Sequence, residues 1–348
     1  MKKILGILLS LNLLAGTGLC YGPRGHGLVG AIADQRLAKN ASVKAKIVQL
    51  LDGLTLQRVA TIPDEIKGLD RNPDGFHLPG HKALEDQLKA FVQANPNPKP
   101  GQPNPPGLPS HHDFHFTDVP VFGNEQYSPG DVGRSQFDIV HMIPFCIRVL
   151  KGEEPENNAR AITKPVALIL LVHYLGDIHQ PLHVGAEYFD AQGNPFEPSS
   201  ANPGFADQGG NKLTLFTFVG GKLKSAGKFH SYWDGQTVQN AFGTANDLTI
   251  AKRLARTEPA DSKLSGSVDT WAEQLANEII PIAREAHTRL EFTNIQFTPG
   301  SKDIKSGRAS EKKKSGGIFY ANWAAATVKT EIHKGGWRLA ALLEQILQ

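Results

Sequence analysis

The sequence predicts a mainly α fold, a single helical domain that carries one small β-hairpin. Stretches with apolar residues at helical spacing recur along the chain. Only residues 213–220 alternate well enough to form one strand of a hairpin. Residues 168–175 are apolar on every side, as suits a helix inside a core rather than on a surface. A length of 348 residues is ample for such a core.

The chain opens with Lys2 and Lys3, the apolar run 4–15 and the small residues Gly16-Thr17-Gly18. This is the pattern of a secretory signal peptide over residues 1–20, too short for a membrane span, and it implies a secreted or periplasmic protein. The formal charge is only +3, which gives no electrostatic case for holding long duplex nucleic acid. Cleavage after Cys20 would leave Cys146 alone, with no intrachain disulfide. A cysteine at the end of a signal also suits a lipid anchor, although Leu19 is bulky for the position before one.

Gly22, Pro23 and Gly25 make residues 21–25 a turn-rich arm, with a helix from His26 or Gly27 to Leu37. An amphipathic segment follows at 41–51. Asp64 then falls at a helix or turn, where an ordinary cap is the simplest reading. Residues 72–110 form a Pro-rich excursion inside the domain, with a short helical piece near 83–92. In 111–118, alternation puts Asp113, His115 and Thr117 on one side and Phe114, Phe116 and Asp118 on the other. An exposed His-rich loop is the alternative there.

A helix over 136–151 buries Ile139, Ile143, Ile147 and Leu150. The central helix runs from about 163 to 180. Pro181 has no N–H for the carbonyl of Asp177, so it ends or kinks that helix before His183. A long helix over 270–291 has Thr270 and Glu273 placed as a capping box. Residues 301–315 read as a solvated, lysine-rich loop, and 336–347 as a closing helix. There is no Gly-rich phosphate loop and no zinc-ribbon cysteine pattern.

The central helix carries the chemistry. His173 and Asp177 are four apart and share a face. A buried carboxylate needs a cation, and a neighbouring imidazole makes that cation a metal; a hydrogen-bonded structural pair is the alternative. His230 and Asp234 repeat the spacing.

On these residues the chain resembles the S1/P1 nuclease family, which is related in fold and metal site to the zinc-dependent phospholipase C enzymes. The resemblance covers nearly everything after the signal, a catalytic domain over 21–348. Its most specific piece is His173-Tyr-Leu-Gly-Asp177-Ile-His-Gln-Pro-Leu-His183. Tyr21-Gly-Pro-Arg-Gly-His26, Gly-Gly-Asn211 and His230-Ser-Tyr-Trp-Asp234 support it. The resemblance implies three zinc ions at the bottom of a cleft. Asp64, His115, His173 and Asp177 would hold the first. Asp177 would bridge to the second, together with His26 and the amino group and carbonyl of Tyr21. His183, His230 and Asp234 would hold the third. The family has tryptophan where Tyr21 stands, but that ligation uses backbone atoms. Imidazole and carboxylate bind zinc without thiols, which suits an oxidising compartment.

The implied activity is in-line attack of a zinc-bound hydroxide on single-stranded RNA and DNA, with 5′-phosphorylated products and a 3′-nucleotidase activity. Asp64 and Asp177 would be the catalytic carboxylates. Phe116 and Asp118 match family positions that stack on and hydrogen-bond to a base; core packing is the alternative for Phe116. Gly235 replaces a family asparagine, and His179 reads as a packing residue rather than a ligand. The implied partners are single-stranded nucleic acid and 3′-nucleotides, the protein being a monomer with no obligate protein partner. Two other readings stay open, a zinc-dependent phospholipase C and a non-enzymatic metal-binding protein.

Overall fold

Helix α1 (Gly22–Leu37) opens a series continued by α2 (Ala41–Leu50), the single-turn pieces α3 (Leu56–Val59) and α4 (Ile62–Glu65), and α5 (Lys82–Ala94). The longer α6 (Ile139–Lys151) and α7 (Lys164–Asp177) pack on each other. Next come α8 (Phe229–Ser231), α9 (Thr237–Phe242), α10 (Asp247–Leu254), α11 (Trp271–Thr288) and α12 (Tyr320–Ile346). The structure, a computed structural model, describes residues 21–98, 109–313 and 317–348. The expected signal peptide and residues 99–108 of the Pro-rich excursion lie outside the described residues. No helix among the described residues is long and apolar enough to cross a membrane.

The fold is built around α7. Thr163 caps it by accepting from the Val166 N–H, and every residue from Val166 to Asp177 is buried. Fully burying each of its leucine, isoleucine and valine side chains contributes about 1.5–3 kcal/mol relative to exposure. The helix stops at Asp177, where Pro181 can give that carbonyl no hydrogen bond. Gln180 then accepts from the Leu182 N–H at 2.6 Å and opens a 3-10 turn, Pro181–His183. Helices α1, α6 and α12 lie against α7, as do α3, α4 and α5.

Three helical expectations are corrected. Helix α1 starts at Gly22 rather than His26, because Pro23 in the first turn needs no N–H partner. The closing helix starts at Tyr320, not at Gly336. Ala324, Val328 and Ile332 give its early half a buried stripe, and Gly335 and Gly336, at the expected start, lie inside it. That pair is a contact point, since a Cβ on Gly336 would fall 2.5 Å from the Ile32 Cβ of α1. The Thr270–Glu273 capping box is not formed. Ser267 instead caps a 3-10 turn, Val268–Thr270, that leads into α11.

Short strands β1 (Val119–Pro120) and β2 (Gly185–Ala186) pair in parallel, and β3 (Tyr188–Phe189) pairs antiparallel with β4 (Phe205–Ala206). The expected hairpin is β5 (Leu213–Val219) with β6 (Lys222–Lys228), but it is half of a larger sheet. Strands β7 (Leu290–Phe297) and β8 (Ile304–Glu311) complete the order β6-β5-β8-β7, with β5 and β8 parallel. The lysine-rich loop expected over 301–315 is therefore largely an inner strand. Its buried residues include Ser310 and Glu311, whose carboxylate accepts from the Tyr320 and Phe218 N–H groups, so no apolar alternation betrays it. Residues His111–His115 form a 3-10 turn held by a Ser110–Asp113 capping box, not an alternating strand, so Phe114 and His115 are both buried. Cys146 is free and buried on α6.

Candidate metal centre and cleft

Asp177, fully buried at the end of α7, faces four imidazoles. One oxygen lies 3.0 Å from His173 Nε2 and 2.9 Å from His115 Nδ1, the other 3.2 Å from His26 Nε2 and 3.6 Å from His183 Nδ1. Asp64 Oδ1 is 3.8 Å from His173 Nε2. The His26 and His173 rings stack with centroids 3.9 Å apart. His183 leads to the remaining pair, in which His230 Nε2 is 3.5 Å from Asp234 Oδ2. Three buried clusters result: His26–Asp64–His173, His115–His173–Asp177 and His183–His230–Asp234. In each, one donor atom per residue lies within 4.8 Å of the others.

Seven segments deliver these side chains, and local structure aims them. Gly176 lets α1 close on α7, because a Cβ there would sit 2.5 Å from His26 Nδ1. Asp64 comes from α4 and His115 from the 3-10 turn before β1. His230 stands on α8, while Asp234 lies in a π-helical turn, Tyr232–Gln236, of the kind that recurs at functional sites. Nδ1–H of His173 donates to the Ala60 carbonyl at 2.7 Å, and that of His183 to the His115 carbonyl at 2.8 Å. His230 donates likewise to Gly209 at 2.8 Å, where Gly209 holds a positive φ of 54°. These bonds fix the tautomer and leave the Nε2 lone pair of each ring for the cluster.

The donors fit zinc. Both ring nitrogens of His26, His183 Nε2 and one oxygen each of Asp64, Asp177 and Asp234 are buried without a hydrogen-bond partner. Each such atom costs about 1–3 kcal/mol unless something pairs with it. Bound cations would do so for one His26 nitrogen, for His183 Nε2 and for the three carboxylate oxygens. Burial lowers the pKa of His26, His115 and His183, and with the neighbouring His183 it takes His230 to about 3, so these rings are neutral and ready to ligate. Burial alone would raise Asp64 and Asp177, but the surrounding imidazoles, with Lys67 at Asp64, outweigh it and hold both below the usual carboxylate range. Imidazoles and carboxylates without thiols are a zinc donor set.

Asp234 differs, because burial pushes its carboxyl well above the usual range. Burial thus favours its protonated form, and a proton bound there must leave for it to ligate. As pH falls, metal should therefore leave the His183–His230–Asp234 cluster first. Metal content measured after dialysis at stepwise lower pH should show an early loss that is missing from Asp234→Ala. A single acid step shared by both proteins would reject the assignment.

Above the clusters opens a cleft of about 310 Å³, with His115, His183 and His230 at its base and Lys67, Phe116 and Asp118 on its walls. Phe114 is wholly buried, whereas the Phe116 ring is half-buried and lines the cleft. Burial, with Asp207 and Asp303 nearby, pushes the Asp118 carboxyl up to about 8. Lys67 Nζ donates to Asp64 Oδ1 at 2.8 Å. The sequence reading missed this lysine, whose one signal is its place a helical turn after Asp64. Tyr21 is buried with its ring edge-on to His26, centroids 6.3 Å apart, and its hydroxyl donates to the His179 carbonyl at 3.1 Å. It belongs to none of the side-chain clusters, since its expected donors are main-chain atoms. His179 also stands apart, its Nδ1–H donating to Leu175 O and its Nε2 accepting from Arg338. A Cβ on Gly235 would meet nothing within 4 Å, so the missing family asparagine leaves open space.

A family model described as S1/P1 Nuclease matches residues 21–348. The chain belongs to the S1/P1 nuclease family. Among relatives, Endonuclease 4 of Arabidopsis thaliana is 23% identical over 350 residues, covering 97% of this chain and 93% of that protein. Endonuclease 3 of the same plant is 22% identical over 349 residues, with the same 97% and 93% coverage. Endonuclease 1 is 25% identical over 197 residues, 56% of this chain and 53% of its own length. As an S1/P1 nuclease the protein is a hydrolase acting on phosphodiester bonds of nucleic acid, and its mainly α architecture is the one the sequence led us to expect.

Proposed function

We propose that this S1/P1 nuclease cleaves single-stranded RNA and DNA to 5′-phosphorylated products, removes phosphate from 3′-nucleotides, and works with three zinc ions held among the buried histidines and aspartates. The observation that carries the reading is the half-buried Phe116 ring beside the clusters in one cleft. Bound there, zinc would lower the pKa of a water and offset charge on both sides of an in-line phosphoryl displacement. The chain's own residues do the rest. Asp177 with Asp64, His26, His115 and His173, and His183 with His230 and Asp234, hold the ions. Asp64, whose main role is to ligate, would also stand near the attacking water. Lys67, on the wall beside Asp64, brings positive charge to the substrate phosphate. Phe116 stacks on a base and Asp118 bonds its edge, which a base already stacked in duplex cannot offer.

A purified-enzyme assay on single-stranded oligonucleotide, duplex, 3′-nucleotide and phosphatidylcholine, with product ends identified, tests the whole reading. Hydrolysis of phosphatidylcholine alone would replace it with the phospholipase reading, and no turnover on any substrate with the non-enzymatic one. Phe116→Ala should raise KM on single strands roughly tenfold, in line with about 1–3 kcal/mol per stacked base, and leave zinc content intact. Unchanged kinetics would return Phe116 to a packing role.

The same proposal covers processing. The protein would be secreted or periplasmic, a monomer whose first residue after removal of 1–20 is Tyr21. A free α-amine can give zinc a lone pair, and a peptide nitrogen cannot. Tyr21 directly precedes α1 with its ring edge-on to His26, and a Cβ on Gly22 would lie 2.8 Å from the Asp234 carbonyl oxygen, which supports this placement. A form with one extra residue before Tyr21 should lose zinc and much of its activity. Native protein starting at Cys20 or earlier, yet fully metallated and fully active, would defeat it.

A further inference from the structure

A second kind of His–Asp cluster, outside the buried donors, reaches the cleft through His112. His111 and His112 are consecutive, and the 3-10 turn that carries them brings both Nε2 atoms onto one oxygen, Asp70 Oδ2, at 3.0 and 3.1 Å. Their donor atoms lie within 4.8 Å of one another. We propose that Asp70, His111 and His112 form a further binding site for a late first-row divalent cation, with zinc as its type.

The geometry needs little adjustment. Ligand atoms about 2.0–2.1 Å from a tetrahedral zinc stand roughly 3.3 Å from each other, so each ring nitrogen need part from Asp70 Oδ2 by only a few tenths of an ångström. Two imidazole nitrogens and one carboxylate oxygen favour zinc or its neighbours over magnesium or calcium, which take oxygen. The supports are already in place. Asp70 Oδ1 accepts the Asn97 N–H at 3.1 Å, leaving Oδ2 for the cation. The His111 ring packs edge-on against Phe91, and the His111 N–H donates to the Asn95 carbonyl at 3.0 Å. The Ser110–Asp113 capping box fixes the turn itself.

Protonation does not oppose binding. Burial, with His111 and Lys67 close by, takes His112 down to about 4. Burial would raise Asp70, but its bonds to His111 and to the Asn97 N–H outweigh that and keep it ionised. The rings need only move a proton from Nε2 to Nδ1 to turn their lone pairs inward. Access differs sharply from the buried clusters. The side chains of His111, Asp70 and His112 are 1%, 11% and 26% exposed, and His112 forms part of the cleft wall. Three protein ligands leave a position for water or a substrate oxygen. A cation here would exchange more freely than the buried ones and add positive charge where a strand enters.

None of the three residues belongs to a buried cluster, so the proposal stands or falls apart from the nuclease reading. Titrating Zn2+ into protein that keeps its tightly held metal, followed by calorimetry, should show one further equivalent in the wild type. In His112→Ala and Asp70→Asn that equivalent should bind on the order of 100-fold more weakly, while the tightly held metal and the far-UV spectrum stay unchanged. Crystals soaked in Zn2+ should give an anomalous peak between Asp70 and His112. Should Asp70→Asn compromise folding, His112→Ala, at a partly exposed ring, carries the test. Equal zinc uptake by wild type and His112→Ala, or no peak at the triad, would overturn it. Lost nuclease activity with the further equivalent intact would count against the catalytic reading alone.

Discussion

Replacing Asp177 by asparagine should cut turnover roughly a thousandfold, about 4 kcal/mol of transition-state stabilisation, and should lower bound metal by more than one equivalent. No other side chain in the clusters faces so many donors, since its two oxygens serve His173 and His115 on one side and His26 and His183 on the other. Asparagine keeps the shape but removes the charge and puts an N–H donor where a ligand should be, which leaves buried imidazole lone pairs unmatched. Elemental analysis and steady-state kinetics on the same preparation check the result. His179→Ala is the control. It lies on the same stretch and is equally buried, but it bonds Arg338 and the Leu175 carbonyl rather than the clusters, so its metal content should hold. Equal metal and equal turnover in wild type and Asp177→Asn would remove Asp177 from the centre of the site.

Gly176→Ala should separate the site from the fold. The new methyl would lie 2.5 Å from His26 Nδ1, so the ring, held by stacking on His173, must leave its place. Inside a helix, however, alanine is favoured over glycine by about 1 kcal/mol. The expected signature is a variant that, stripped of metal, melts no earlier than the stripped wild type, but when loaded holds one equivalent less metal and turns over about 100-fold more slowly. A variant with full metal and full activity would mean that α1 can yield without disturbing the cluster.

The sequence disclosed most where burial and chemistry coincide. Residues 168–177 read as a core helix because every side chain there is apolar except those with ionisable work to do, and Pro181 marked its end. The pairs at helical spacing, His173 with Asp177 and His230 with Asp234, were legible for the same reason. Lys67 was not, because one lysine a helical turn after an aspartate looks like an ordinary solvated pair until Asp64 itself is seen to be buried among the histidines. Strand β8 escaped because its inner positions are filled by small and polar residues whose hydrogen bonds come from far along the chain. The early half of α12 escaped because a glycine pair resembles a helix boundary when its neighbour, α1, is out of view. In 111–115, alternation suggested a strand, but capping by Ser110 and Asp113 is local and stronger than a five-residue pattern.

The seating of α1 along α12 also ties the metal centre to a part of the chain that supplies none of its donors. His26 rides on α1, and the surface that holds that helix, around Gly335 and Gly336, lies far along the chain from it. The donor finds its place only once these two distant segments have met. A side chain added at that seat would touch no ligand, yet it would be felt at the centre through the tilt of α1.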